Sequence, residues 1–94
     1  MMVFGSDLFF DQKISMIDAV LGKEMYVPTL EKSEKIKIEP GTQPNTIIKL
    51  KGKGLHHQNS WGRGDQYVRL VVDIPKKLSK HQKKLLEEFK DSLD

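Results

Sequence analysis

Three histidines, a lysine–glycine run and a basic strand beside a tryptophan are the groups in this chain that could do chemistry. His56 and His57 are adjacent, so their side chains need not converge on one ion, and His81 starts a distant segment. There is no cysteine and no His-x-x-x-His spacing, so thiolate and helical two-histidine metal sites are excluded. The histidines read as solvated surface residues, and no metal or cofactor is expected. Lys51-Gly52-Lys53-Gly54 lacks the spacing and terminal Ser/Thr of a phosphate loop, and reads as a turn after a strand. No Gly-x-Ser-x-Gly elbow and no legible Ser/His/Asp set occurs, and Asp65 and Asp73 read as turn and surface residues. No catalytic residue is assigned, and the chain is not expected to be an enzyme. Lys49, Lys51 and Lys53 share a strand face, with Trp61 and Arg63 in the adjoining loop. That set could bind single-stranded nucleic acid by stacking and charge, although a solvated sheet face explains it more simply.

Composition narrows the classes. Ninety-four residues suit one domain, with 37% hydrophobic and 31% charged residues. The apolar runs are too short to span a bilayer. The net charge of +3 is well below the footprint of a dedicated nucleic-acid binder. The lack of cysteine suits a cytoplasmic protein. Residues 1–6 read as a linker or cloning remnant without functional weight.

The elements that must position these groups are mostly strands. Residues 7–14 alternate, with Leu8, Phe10 and Ile14 on one face and Asp11 and Lys13 on the other. Ser15 can cap a short helix that stops at Gly22. A second strand is expected over 23–30, a third over 34–39 with Ile36 and Ile38 inward, and a fourth over 46–51. Pro40 to Asn45 is the strongest turn signal. The longest strand is expected over 66–74, with Val68, Leu70, Val72 and Ile74 inward. Ser79 and Gln82 form a capping box for a C-terminal helix, residues 79–94. Leu85, Leu86, Phe89 and Leu93 form its apolar stripe. Lys80, Lys83 and Lys84 crowd its positive end and Glu87, Glu88 and Asp91 its negative end, both against the macrodipole. Such a helix depends on what its stripe packs against, either its own sheet or a second subunit.

Several of these segments resemble, in order and spacing, the second C-terminal domain of DnaJ-type co-chaperones. They are Asp7-Leu8, Ala19-x-Leu21-Gly22, Val27-Pro28-Thr29-Leu30, Pro40-Gly41-Thr42-Gln43, Leu50-Lys51-Gly52-Lys53-Gly54, Gly62-Arg63-Gly64-Asp65 and Val72-Asp73-Ile74-Pro75, closing on Leu78-Ser79 with Gln82, Leu85, Leu86, Glu88 and Phe89. The resemblance covers about residues 7 to 93. Gly41, Gly52, Gly54, Gly64 and Asp65 take the family's turn positions. Glu31-Lys32-Ser33 and Asn45 stand where the family often has glycine, and the loop 55–61 carries nothing over.

The resemblance implies a mainly β fold. It would be a small two-sheet, β-sandwich-like domain over 7–78, with one short internal helix and a C-terminal α-helix that pairs two protomers. Leu85, Leu86, Phe89 and Leu93 would then be dimer contacts in a V-shaped homodimer that receives non-native polypeptide clients. The client-binding residues stay unassigned. No His-Pro-Asp tripeptide, Cys-x-x-Cys repeat or preceding β domain occurs in this sequence. A DnaK-type chaperone would therefore be met only through regions absent from this chain, which reads as part of a longer protein. The short apolar runs lead to no expected membrane partner, and the alternation of acidic and basic residues favours the chaperone module over the alternative, a small basic β domain that binds single-stranded nucleic acid.

Overall fold

The computed structural model describes residues 1–93. The elements are β1 (Met2–Phe4), β2 (Asp7–Ser15), α1 (Met16–Leu21), β3 (Lys23–Val27), β4 (Glu34–Ile38), β5 (Ile47–Leu50), β6 (Gln66–Asp73) and α2 (Lys80–Ser92). Alternation in β2 and β6 sets one face of each strand inward. They pair in parallel along all of β6, from Leu8↔Gln66 to Ser15↔Asp73. With β1 and β5 on the flanks they form a four-stranded sheet in the order β1-β2-β6-β5. The hairpin β3-β4 is a second sheet, registered Met25↔Ile36. Ile14, Val68 and Leu70 of the first sheet meet Val27, Ile36 and Ile38 of the second, with Ala19 of α1 closing the core. This is the expected mainly β architecture of two sheets, a short internal helix and a C-terminal helix.

Local details have local causes. Ser15 Oγ accepts the Asp18 amide at 3.0 Å and so caps α1. Strand β3 stops at Val27 rather than 30, because Pro28 has no amide to donate. Thr29 replaces the glycine turn: its Oγ1 accepts the Glu31 amide at 3.2 Å and donates to the Lys32 carbonyl at 2.6 Å. Asn45 adopts φ 66°, the left-handed state that asparagine tolerates. Residues 2–4 of the segment expected to be a linker or remnant form β1, registered Val3↔Leu8. Ile74, expected inward, is 69% exposed. The β2–β6 register ends at Ser15↔Asp73, so no strand faces it. The Asp94 end of the expected helix lies outside the described residues.

A knot of backbone contacts holds the long loop to the start of β2. Gly54 donates to the Gly64 carbonyl at 2.9 Å, and Leu55 donates to the Ser6 carbonyl at 2.8 Å. The Asp65 amide donates to Asp7 Oδ1, and the Gly52 amide donates to Asp65 Oδ1, both at 2.8 Å. Lys49 Nζ lies 3.5 Å from Asp65 Oδ2. The Gly52 hydrogen bond, helped by Lys49, holds the Asp65 carboxyl below its ordinary range. A Cβ at Gly64 would sit 2.2 Å from the Ser6 carbonyl oxygen, and one at Gly54 would sit 2.3 Å from it. Both glycines are therefore demanded by close approach, whereas Gly41 is demanded by its φ of +81° in open space.

Two outcomes follow. Gly64→Ala should cost about 3 kcal/mol or more, because backbone must move, and Gly41→Ala about 1 kcal/mol, or about 4–8 °C in Tm. Thermal melts of the two variants check the ranking, and equal losses would contradict the packing argument. Asp65 binds its proton less readily when folded than when unfolded. Its contribution is therefore present above the ordinary carboxylate value of 3.8 and lost as pH falls through the lowered one. Asp65→Asn should give a shallower loss of Tm between about pH 5 and pH 2 than the parent chain shows.

Candidate functional site

Helix α2 begins with the capping box expected from Ser79 and Gln82. Ser79 Oγ accepts the Gln82 amide at 3.1 Å, and Gln82 Oε1 accepts the Ser79 amide at 2.9 Å. Beyond this cap no α2 residue is buried. Leu85 is 50% exposed, Phe89 56% and Leu93 59%, while Leu86 is half-buried. The stripe does not pack on its own sheet. The molecule measures 59 × 23 × 20 Å, and its radius of gyration is 17.3 Å. A compact chain of this length would have a radius of roughly 12 Å. At the foot of α2, Leu85, Leu86 and Gln82 share a groove of about 320 Å³ with Leu78, Pro75, Met16 and Ile17. Leu85, Leu86 and Phe89 thus form one open apolar surface that continues into this groove.

A second apolar surface, absent from the sequence reading, covers the outer face of the four-stranded sheet. Phe9 stacks on Tyr67 with ring centroids 5.2 Å apart and meets Phe4 edge-on at 6.3 Å. Strand pairing sets this ladder, because Met2↔Phe9 and Phe9↔Tyr67 are direct register partners. One step along, Arg69 grips Asp11 through two hydrogen bonds of 2.9 and 2.7 Å. Each partner favours the charged form of the other, lowering the Asp11 pKa and raising that of Arg69. Met1, Met2, Phe9, Tyr67 and Ile47 line a groove of about 490 Å³ here, with the Asp11–Arg69 pair on its wall. The signal was the run Leu8-Phe9-Phe10, which puts apolar residues on both faces of a strand.

The basic strand does not form one charged face. Strand β5 ends at Leu50, Lys49 pairs with Asp65, and Lys53 lies 3.8 Å from Glu34 on the other sheet. Arg63 pairs with Glu31 and donates to the Gly54 carbonyl at 2.9 Å. Trp61 is 98% exposed and stacks on no ring among the described residues. His57 Nδ1 lies 2.9 Å from Ser6 Oγ, and His56 bridges Arg63 in a two-residue β contact. Among the described residues no cluster of ligands could hold a metal ion, and no helix is long and apolar enough to cross a membrane.

Residues 2–75 match the model of the DnaJ C terminal domain. The Chaperone protein DnaJ of Clostridium perfringens is 52% identical over 85 residues, which are 90% of this chain and 22% of that protein. Those of Clostridium tetani (51% over 82 residues, 87% of this chain) and Clostridioides difficile (47% over 85 residues, 90% of this chain) are similar over 22% of their lengths. The chain spans less than a quarter of these relatives. With residues 2–75 matched, most of its length, the chain belongs to the DnaJ C terminal domain family.

Proposed function

We propose that this chain is the self-pairing, polypeptide-binding end of a DnaJ-type co-chaperone of the cytoplasm. It works by binding, without chemistry of its own. The observation that carries the reading is the open stripe at α2, made of exposed Leu85, Phe89 and Leu93 with half-buried Leu86 beside them. Thirteen residues are marginal as an isolated helix, and a stripe packed only at its foot supplies little to offset that. A second α2 would cover it and make a homodimer. Partnership with a DnaK-type chaperone would run through other regions of the longer protein.

Clients fit the outer sheet face. The Phe4–Phe9–Tyr67 ladder offers rigid aromatic area to apolar side chains. Strand β1 pairs only with Asp7, Leu8 and Phe9, so the same edge of β2 from Phe10 to Ser15 has no neighbouring strand among the described residues. An extended non-native segment can add there through backbone hydrogen bonds. Two such sites on one dimer raise the effective concentration of the second contact. The nucleic-acid reading finds no matching support, since Lys49, Lys53 and Arg63 are each paired with a carboxylate.

Two measurements test these parts separately. Molar mass in solution over a concentration series should show a dimer. Leu86→Asp with Phe89→Asp, at positions outside the core, should weaken it by at least about a hundredfold while the β circular dichroism is kept. A chain ending at Leu78 that stays dimeric would refute the assignment. Phe4→Ser with Tyr67→Ser should weaken binding of a fluorescent, chemically unfolded polypeptide about tenfold and leave the dimer intact. Unchanged client affinity would remove the outer face from the reading.

A further inference from the structure

The ion pairs among the described residues all lie between Asp11 and Arg69. Past Asp73 the pattern changes. Lys76, Lys77, Lys80, Lys83 and Lys84 fall close together, and no carboxylate occurs from Ile74 to Leu86. These five charges exceed the net charge of +3 that the whole chain carries. All five residues are exposed, and among the described residues none of them has a carboxylate within 4.0 Å. The arrangement is costly in the isolated chain. Lys80 and Lys84 are like charges one helical turn apart, and Lys80, Lys83 and Lys84 stand near the positive end of the α2 dipole.

We infer that this basic block is a docking site for an acidic polypeptide segment that also carries an apolar side chain. Charge complementarity is the first argument. Carboxylates laid along the block relieve the repulsion among its lysines and steer the segment to it. Shape is the second. Lys77 lines the groove of about 320 Å³ between α1 and the start of α2, together with Ile17, Pro75 and Leu78. Ile17 is 47% exposed and Leu78 41%, so an apolar side chain of the same segment can seat between them. From Lys76 to Lys84 the block is at most roughly 20 Å long, the reach of about six extended residues.

The surroundings narrow the partner to a peptide. No Phe, Tyr or Trp occurs from Val68 to Glu88, so the block has no ring of its own on which bases could stack. Glu87, Glu88 and Asp91 follow directly on α2. They repel a long polyanion, or an anionic membrane surface, that ran past the block. The site is also independent of self-pairing. At helical spacing Lys80 and Lys84 lie on the side of α2 opposite Leu86 and Phe89, so a second copy laid over the stripe leaves them in solvent.

Fluorescence anisotropy with a short labelled peptide, glutamates around two leucines, tests the site. The peptide should bind the parent chain and lose about tenfold in affinity between about 0.05 M and about 0.5 M salt. Lys76→Gln with Lys77→Gln and Lys80→Gln should weaken binding about tenfold. Lys32→Gln with Lys37→Gln and Lys51→Gln removes the same charge from scattered positions and should change it less than about twofold. Circular dichroism checks that both variants keep the parent fold. Equal losses in the two variants would show that net charge alone attracts the peptide, and would overturn the site, as would a parent chain that does not bind. Glutamine in place of each glutamate should weaken the peptide at least about tenfold, and serine in place of each leucine about threefold. A glutamine peptide that binds as well as the acidic one would overturn the acidic partner, and a serine peptide that does so would remove the groove from it. Single-stranded DNA or phosphatidylserine vesicles that bind more tightly than the peptide, through the same three lysines, would overturn the assignment to a polypeptide.

Discussion

Everything else in this domain hangs on the parallel pairing of β2 with β6. The two strands are far apart in sequence, and α1, β3, β4 and β5 all lie between them. The loop they close is long, so its entropy cost comes before most of the core can form. The pair is braced where it begins. Leu8 donates to the Asp65 carbonyl at 2.9 Å, and the Asp65 amide donates to the Asp7 side chain. Glycines at 54 and 64 let the loop lie against Ser6 closely enough for these bonds to form. One register is thereby selected, and a slip of one residue would turn Val68 and Leu70 to solvent.

The second sheet is held to the first by apolar packing and by one buried amide. Gln66 is fully buried at the start of β6, and its Nε2 donates to the Pro28 carbonyl at 2.9 Å. That bond satisfies a carbonyl at the point where proline ends β3. Its Oε1 has no partner among the described residues, so the amide is a local cost set against the link it makes. The ion pairs act differently. Most are exposed, and such pairs contribute little to stability. Their consequence is to set a carboxylate beside each of Lys49, Lys53 and Arg63.

The molecule therefore has a finished part and an unfinished part. The β domain buries its inward residues on both sheets, from Ile14 to Leu70. Helix α2 buries none, and the outer sheet face leaves Met2 and Phe4 in solvent. Contiguous exposed apolar surface of this kind marks an interaction site more often than a defect. Both open surfaces have definite shape: one is a helical stripe running into a groove, the other an aromatic ladder beside an uncovered strand edge. Both suit a module whose work is to hold other chains.

Local signals were legible because they act over a few residues. Strand alternation in β2, the Ser79–Gln82 cap and the left-handed Asn45 could all be read before folding was considered, whereas the strand expected through Leu30 ends at Val27, before Pro28. So could the stripe of α2 and the order of motifs that points to the family. What the stripe faces could not be read, because helical periodicity marks an apolar side without saying what covers it. Phe9 was missed for a related reason: it lies on the outer face of β2, and only the register with Met2 and Tyr67 assembles a ladder around it. The carboxylates beside Lys49 and Lys53 could not be read from the strand pattern, because Asp65 and Glu34 come from distant segments. Sequence by itself determined most of the elements, though not β1, together with their caps and the kind of domain they build. Tertiary structure decided which glycines are steric necessities, which charges are spent within the molecule and which apolar faces stay open, since each depends on residues brought together from far apart in the chain.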